Sequence, residues 1–348
     1  MDLVEAEAEQ AESFLRPAVQ VERRYLNPVP TKVGGWSTLW KALPLYFRNK
    51  EEKFPKTPLG PFRTDARIYE TPVASGLRVT WMGHSSLLIE IDGARVLTDP
   101  VWDERASPMR WAGPKRFFAA PLALKEMPRL DVVLVSHDHY DHLGESTIRT
   151  LARMESMRGV EWVTSLGVGE ILEQYGVHRT KITELGWTES FTVASKGLEI
   201  TSLPSRHFSG RSMFNRFETL WSSFVLQGPR HKVYFGADSG WWEGFKEIGA
   251  AHGPFDLTML EIGAFNELWK DIHMGPDGAA QAFEDLGGTG LLMPIHWGLF
   301  DLALHGWKQP MERMLALAEE KGIALWSPQP GSPTEVVPGA SLRSDWWR

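Results

Sequence analysis

The nine residues Ser136-His-Asp-His-Tyr-Asp-His-Leu-Gly144 constrain this chain more than any other stretch. Three imidazoles and a carboxylate, His137, His139, Asp141 and His142, fall within six positions. They follow Leu130–Val135, a short apolar run rich in β-branched residues that reads as a fully buried strand. The ligand-type residues therefore sit on a loop leaving the carboxyl end of a core strand. His137 and His139 alternate by two, so an extended backbone aims both at one ion. Asp141 and His142 lie past the bend and can serve a second ion. Imidazole and carboxylate suit zinc and neighbouring divalent metals. Two adjacent cations can clamp an oxygen nucleophile and an oxygen leaving group, so the motif points to metal-assisted hydrolysis.

Composition narrows the choice. The 348 residues include no cysteine, which removes disulfides and thiolate ligands and leaves His, Asp and Glu as donors. A formal net charge of −7 argues against a nucleic-acid partner, whose binders more often carry a basic surface. Met1–Gln10 is acidic and has no apolar core, so no signal peptide is expected. No apolar run approaches the roughly 20 residues of a membrane-spanning helix. A cytoplasmic protein is expected. The 16 tryptophans are many, and some are expected on a binding or membrane-facing surface.

Along the chain, residues 1–70 read as an N-terminal arm packed on a main domain of residues 71–348. Within the arm, Trp36, Leu39, Trp40 and Leu43 follow helical spacing, with Pro44 ending the turn and Lys41, Arg48 and Lys50 flanking it. This stretch suits either packing on the main domain or contact with lipid. Strands are expected at Leu77–Trp81, Ser86–Ile91 and Arg95–Thr98, with a hairpin at Asp92-Gly93. Further strands are expected at Val160–Thr164, Ile182–Leu185, Ser190–Val193, Leu198–Leu203, Ser222–Leu226, Lys232–Phe235, Leu257–Leu260 and Gly290–Pro294. Helices are expected at Glu145–Met157, Val168–Tyr175, Trp242–Ile248, Pro276–Leu286 and Gln309–Lys321. The order suits an α/β, four-layer αββα sandwich better than a doubly wound parallel sheet. Neither a GxGxxG nor a Walker loop occurs.

One loop cannot complete two metal sites. His207, Asp238 and His296 each follow another apolar strand, so all share one address, the carboxyl end of a core strand. Ligands cluster at that edge in α/β folds.

Beyond the metal loop, Leu77-Arg-Val-Thr-Trp-Met-Gly-His-Ser, Leu97-Thr-Asp-Pro, Gly113-Pro-Lys-Arg-Phe, Pro204-Ser-Arg-His, Ile262-Gly-Ala and Ile295-His-Trp-Gly are informative. With these segments the chain resembles the metallo-β-lactamase superfamily, and within it the N-acyl-phosphatidylethanolamine-hydrolysing phospholipases D. The similarity covers roughly residues 70–310, with an echo in Tyr25–Pro30. The resemblance implies that His137, His139 and His207 hold one ion, that Asp141, His142 and His296 hold the other, and that Asp238 bridges. It implies two divalent ions, zinc first, with Mn2+ or Fe2+ as alternatives. Asp141, Asp238 and His273 are the candidate catalytic residues, His273 as a contact to substrate or a proton donor. His84 and Asp99 are expected to hydrogen-bond and orient the ligands.

Two loops, 103–124 and 206–220, mix arginines with aromatics and supply the candidate substrate contacts Arg116, Phe117 and Arg211, while Trp241 and Trp242, just after Asp238, are expected to line the cleft or pack beneath it. The expected activity is a phospholipase D-type phosphodiesterase on N-acyl-phosphatidylethanolamine or a related glycerophospholipid, attacked by a metal-bridging hydroxide. A lactonase of the ascorbate-6-phosphate type and a tRNA 3′-processing-like nuclease are the alternatives. The expected partners are a phospholipid substrate, peripheral contact at the inner membrane face, a homodimer mate, and no nucleic acid.

Overall fold

The structure, a computed structural model, describes residues 13–35, 40–41, 44–45, 51–212, 214–337 and 342–348. Of the aromatic stretch in the arm, Trp36, Leu39, Leu43, Arg48 and Lys50 lie outside the described residues. Trp40, Lys41, Pro44 and Leu45 have helical backbone and are exposed.

After a short antiparallel ribbon of β1 (Gln20–Val21) and β2 (Arg24–Tyr25), two sheets face each other. The first holds β3 (Leu77–Gly83), β4 (Ser86–Ile91), β5 (Ala94–Thr98), β6 (Val132–Val135), β7 (Glu161–Ser165), β8 (Ile182–Leu185) and β15 (Thr334–Glu335), in the order β15-β3-β4-β5-β6-β7-β8. The second holds β9 (Ser190–Val193), β10 (Leu198–Leu203), β11 (Ser223–Gln227), β12 (Lys232–Phe235), β13 (Leu257–Glu261) and β14 (Leu291–Ile295), in the order β14-β13-β12-β11-β10-β9. Each sheet is antiparallel on one side and parallel on the other, with β5 to β8 and β12 to β14 parallel. The parallel strands direct their carboxyl ends to one edge of the sandwich. The β4–β5 turn has positive φ at both Asp92 (48°) and Gly93 (86°). That is the backbone an Asp-Gly hairpin demands.

The apolar run before the metal loop is buried on both faces because it has a partner on each. Val132 and Leu134 face the second sheet, and Val133 and Val135 face α1 (Glu145–Arg153) and α2 (Val168–Gln174). Leu134→Ala would cost about 2–5 kcal/mol through lost transfer energy and the cavity left behind. On the far side, α3 (Gly244–His252), α4 (Gly275–Asp285) and α5 (Gln309–Lys321) cover the second sheet. This is the expected αββα layering. α1 ends at Arg153 rather than Met157, because Met154 leaves helical backbone (φ −73°, ψ 129°) before a short 3-10 turn. Its first turn is held by Asp103, whose carboxylate accepts from the backbone N–H groups of Ser146 (3.1 Å) and Thr147 (3.2 Å).

Most of the tryptophan is core. Trp297 stacks on Trp81 at 5.5 Å and on Trp346 at 5.3 Å, and Trp347 meets it edge-on at 5.3 Å. This stack lies directly behind His296. Among the described residues, Trp40 (69% exposed) and Trp111 (78%) are the exposed tryptophans. No helix among the described residues is long and apolar enough to cross a membrane.

Candidate metal centre

Four loops at the carboxyl edge converge. The β6 loop brings His137, His139, Asp141 and His142. The segments after β10, β12 and β14 bring His207, Asp238 and His296. The point of convergence is Asp238 Oδ2, which lies 3.2 Å from His142 Nε2, 3.2 Å from His296 Nε2, 3.6 Å from His207 Nε2 and 3.9 Å from His137 Nε2. Around it two groups form. In one, His139 Nδ1 lies 2.9 Å from His137 Nε2 and 3.3 Å from His207 Nε2. In the other, Asp141 Oδ2 lies 3.3 Å from His296 Nε2 and 3.7 Å from His142 Nε2. The seven residues named from sequence are thus brought together, and each group has the size and donor set of a cation site.

Neighbours set the ring orientations. Asp99 Oδ2 is 2.7 Å from His142 Nδ1 and also accepts from Ser136 Oγ at 2.7 Å, which in turn touches His137 Nδ1 at 2.9 Å. One buried carboxylate therefore steadies a histidine of each group. His207 Nδ1 donates to the Ile272 carbonyl at 2.9 Å, leaving Nε2 for the centre. His84 Nε2 meets Asp141 Oδ2 at 3.0 Å, while its carbonyl accepts from His296 N at 3.1 Å. Asp138, between the two histidines, points away and accepts from Gly210 N at 2.7 Å.

The backbone here is held in uncommon conformations. His84, Asp99, Ala237 and His296 have φ of 55°, 36°, 47° and 60°. Left-handed non-glycine residues persist only where surroundings over-determine them, and they concentrate at functional sites. Two glycines allow loops to approach. A Cβ at Gly263 would stand 2.0 Å from the His296 carbonyl, and one at Gly240 would stand 2.0 Å from that of Asp271.

Electrostatics divide the groups. Burial pushes His139 and His207 down to about 3 and His137 well below its ordinary value, so all three are neutral at pH 7. Burial also opposes charge on His142 and His296, but Asp238 and Asp141 outweigh it. They lift His142 well above its ordinary value and His296 to about 10. Asp141 and Asp238, although buried, are held well below the usual carboxylate range by those histidines. His142 Nε2, His296 Nε2 and Asp238 Oδ1 are buried with no hydrogen-bond partner. Polar atoms orphaned this way, converging from three strand ends, fit divalent cations.

A further carboxylate escaped the sequence reading. Glu261, fully buried at the end of β13, takes His273 Nδ1 at 2.6 Å and the backbone N–H groups of Ser239 (3.2 Å) and Met274 (3.1 Å). Burial, and then the charge of Asp238, raise it well above the ordinary carboxylate value. Its position at a strand end is the same signal that singled out Asp238. His273 itself lies between the groups, with ring centres 5.0 Å from His207 and 5.4 Å from His296.

The expected substrate contacts fare differently. Arg211 donates to the carbonyls of Asp138 (2.6 Å) and Leu143 (3.1 Å) and stacks on Tyr140 at 3.8 Å, so it braces the metal loop. Trp242 is buried against Phe14 and Phe245, and helix α3 begins only after it, at Gly244. Trp241 donates to Asp285 of α4 at 2.9 Å. Arg116 donates to the Phe118 carbonyl at 2.8 Å, and Phe117 packs edge-on to Phe54 and Trp307.

Comparison with known proteins agrees with this geometry. Residues 94–297 match the family described as "Beta-lactamase superfamily domain". An uncharacterized protein of Mycobacterium tuberculosis is 47% identical over 278 residues, covering 79% of this chain and 73% of that protein. The N-acyl-phosphatidylethanolamine-hydrolyzing phospholipase D 1 of Caenorhabditis elegans is 35% identical over 236 residues, 66% of this chain and 65% of the worm protein. Among solved structures, the isothiocyanate hydrolase from Delia radicum gut bacteria aligns with a TM-score of 0.59 at 18% identity, covering 74% of this chain and 99% of that one. The layering and the His/Asp edge define a metal-dependent hydrolase. The chain belongs to the metallo-β-lactamase superfamily.

Proposed function

We propose that this protein is a dinuclear phosphodiesterase of the phospholipase D type. Its substrate is an N-acylated or related glycerophospholipid, cleaved to phosphatidic acid and an N-acylethanolamine. The observation that carries the two-ion reading is the meeting of four imidazole nitrogens from three loops within 3.9 Å of Asp238 Oδ2. The lipid reading is supported by the 35% identity to the worm phospholipase and by the Gly113-Pro-Lys-Arg-Phe segment.

His137, His139 and His207 would hold one cation, Asp141, His142 and His296 the other, with Asp238 between them. Zinc is the expected metal. Two such cations supply Lewis acidity and make hydroxide available near neutral pH. The chain's own residues do the rest. Burial lowers His273 to about 4, so its imidazole is neutral, while Glu261 is pushed toward its protonated form and can donate its carboxyl proton to Nδ1. Nε2 then carries the N–H that donates a hydrogen bond to the phosphoryl oxygens or a proton to the departing alkoxide, the Glu261 proton passing to Nδ1 as it leaves. Asp141 and Asp238 compensate the buried positive charge. His84 and Asp99 keep Asp141 and His142 in place.

Access by a lipid is supported by exposed Met109, Trp111 and Phe214, in the loops on either side of the metal loop, with Arg105, Arg110 and Lys115 among them. These side chains suit the headgroup region of a membrane. The decisive test is mass spectrometry of a mixed phospholipid pool after incubation with zinc-loaded protein. Paired appearance of phosphatidic acid and N-acylethanolamine is expected. Turnover of a lactone or an RNA with the lipid pool untouched would overturn the reading.

A further inference from the structure

The N-terminal arm is fastened to the metal centre at several points. Asn27 Nδ2 donates to the His207 carbonyl at 2.8 Å, and Asn27 Oδ1 accepts from the His207 N–H at 3.0 Å. One amide side chain thus satisfies both backbone groups of a candidate ligand 180 residues away. No strand partner does this, because β10 ends at Leu203 and His207 lies beyond the ladder. The residue before the ligand is tied to the same strap. Arg206 Nη2 donates to the Pro30 carbonyl at 2.9 Å and pairs with Asp271 at 3.0 Å, and Arg206 Nε donates to Thr31 Oγ1 at 3.1 Å. Lys32 N donates to Asp271 at 3.0 Å, on the loop that carries His273. Farther along, the Gly34 carbonyl accepts from Arg216 at 2.7 Å.

We infer that residues 27–34 are a working part of the metal centre and that Asn27 is a positioning residue for His207. The inference rests on the two-ion reading of the site. A histidine ligand needs its ring fixed to within a fraction of an ångström. The Ile272 carbonyl fixes the His207 ring at Nδ1, and Asn27 fixes the backbone from which that ring projects. Without the amide, a buried N–H and carbonyl lose their partners, and the segment gains freedom to swing toward water. Among the described residues, neither His142 nor His296 hydrogen-bonds to the strap. The loss therefore falls on the group formed by His137, His139 and His207, while the other group keeps its ion.

The test compares the full chain with Asn27→Ala and with the isosteric Asn27→Asp, which keeps the acceptor for His207 N–H and loses the donor. Zinc content per chain, stepwise zinc affinity by chelator competition, and the visible spectrum of the cobalt-loaded protein are read together. Tm of the zinc-stripped protein is read beside them. The wild type is expected to hold two ions. Asn27→Ala is expected to weaken one of them by about 10–100-fold, the range for residues that support a ligand. The other ion keeps its affinity, the cobalt spectrum changes, and the stripped Tm stays near wild type. Asn27→Asp is expected to fall between, and it carries the test if the alanine variant fails to fold. Two ions held at wild-type affinity in either folded variant would overturn the inference. A wild type that holds two zinc ions but cleaves no phospholipid sinks the substrate reading and leaves this one standing. A wild type that holds fewer than two overturns both.

Discussion

The two halves of the centre are built from opposite chemistry. The group of His137, His139 and His207 is a set of neutral nitrogens, kept uncharged by burial. The group of Asp141, His142 and His296 is a charge-balanced cluster in which two carboxylates pull two histidines toward the protonated form. In the metal-free protein, protons do in the second half what a cation would do. A cation entering the first half would displace no proton, whereas one entering the second would have to compete with them. The halves should therefore differ in how pH governs their occupancy, although one six-residue motif feeds both.

The largest expected effect removes the distinction. Asp238→Ala takes the shared oxygen from both halves, so bound zinc should fall from two to none and turnover to background. Metal analysis and kinetics on the same sample check it, and full activity with two ions would refute the shared role. Next in size is His273→Gln, which touches neither carboxylate of the second half. It should lower kcat by about 10²–10⁴-fold with zinc content unchanged. An equal loss of zinc would make His273 a ligand instead.

Zinc titrations at several pH values break the comparison more finely. His296 is raised to about 10, so its group should gain zinc affinity as pH rises toward that value, by about tenfold per unit for each proton displaced. The neutral trio should change little between pH 7 and 8. Parallel slopes would show that the halves are not chemically distinct. Stability follows the same division. His139 and His207 take a proton near 6.5 when unfolded but near 3 when folded. Between those values the unfolded chain binds more protons, so the metal-free fold should weaken as pH falls through that window. His296 works in the opposite sense. Its stabilisation is complete below about 6.5 and is lost as pH rises through about 10. Denaturant melts of stripped protein across pH read both trends. The smallest effect should come from Asp99→Asn, which weakens the His142 side by about 10–100-fold and the His137 side less, since Ser136 intervenes there.

Much of this was legible in the chain. The buried run before Ser136 fixed β6, Asp-Gly fixed the β4–β5 turn, and position after an apolar strand picked out His207, Asp238 and His296. Glu261 carries the same address and was overlooked because a lone glutamate lacks the signature of clustered histidines. Asn27 was out of reach, since its role depends on a contact 180 residues away. The substrate loops were the least readable. An arginine beside aromatics can face a ligand or brace its own backbone, and Arg211 does the latter. Trp242 shows the same ambiguity. Its place after Asp238 suits a cleft wall or packing beneath one, and Phe14 of the arm covers it.

The tryptophan stack behind His296 has a consequence for synthesis. Trp297 is wedged between Trp81 and the pair Trp346–Trp347, so the residue after His296 is seated by β3 and by residues 346–347, far apart in sequence. During translation the histidines of the β6 loop emerge long before that stack can close. A ribosome-bound chain stopped ahead of residue 346 would display His137, His139 and His142 without a settled His296. A cation held through His296 would then settle only once that stack has closed, and a nascent chain would present only half a cage.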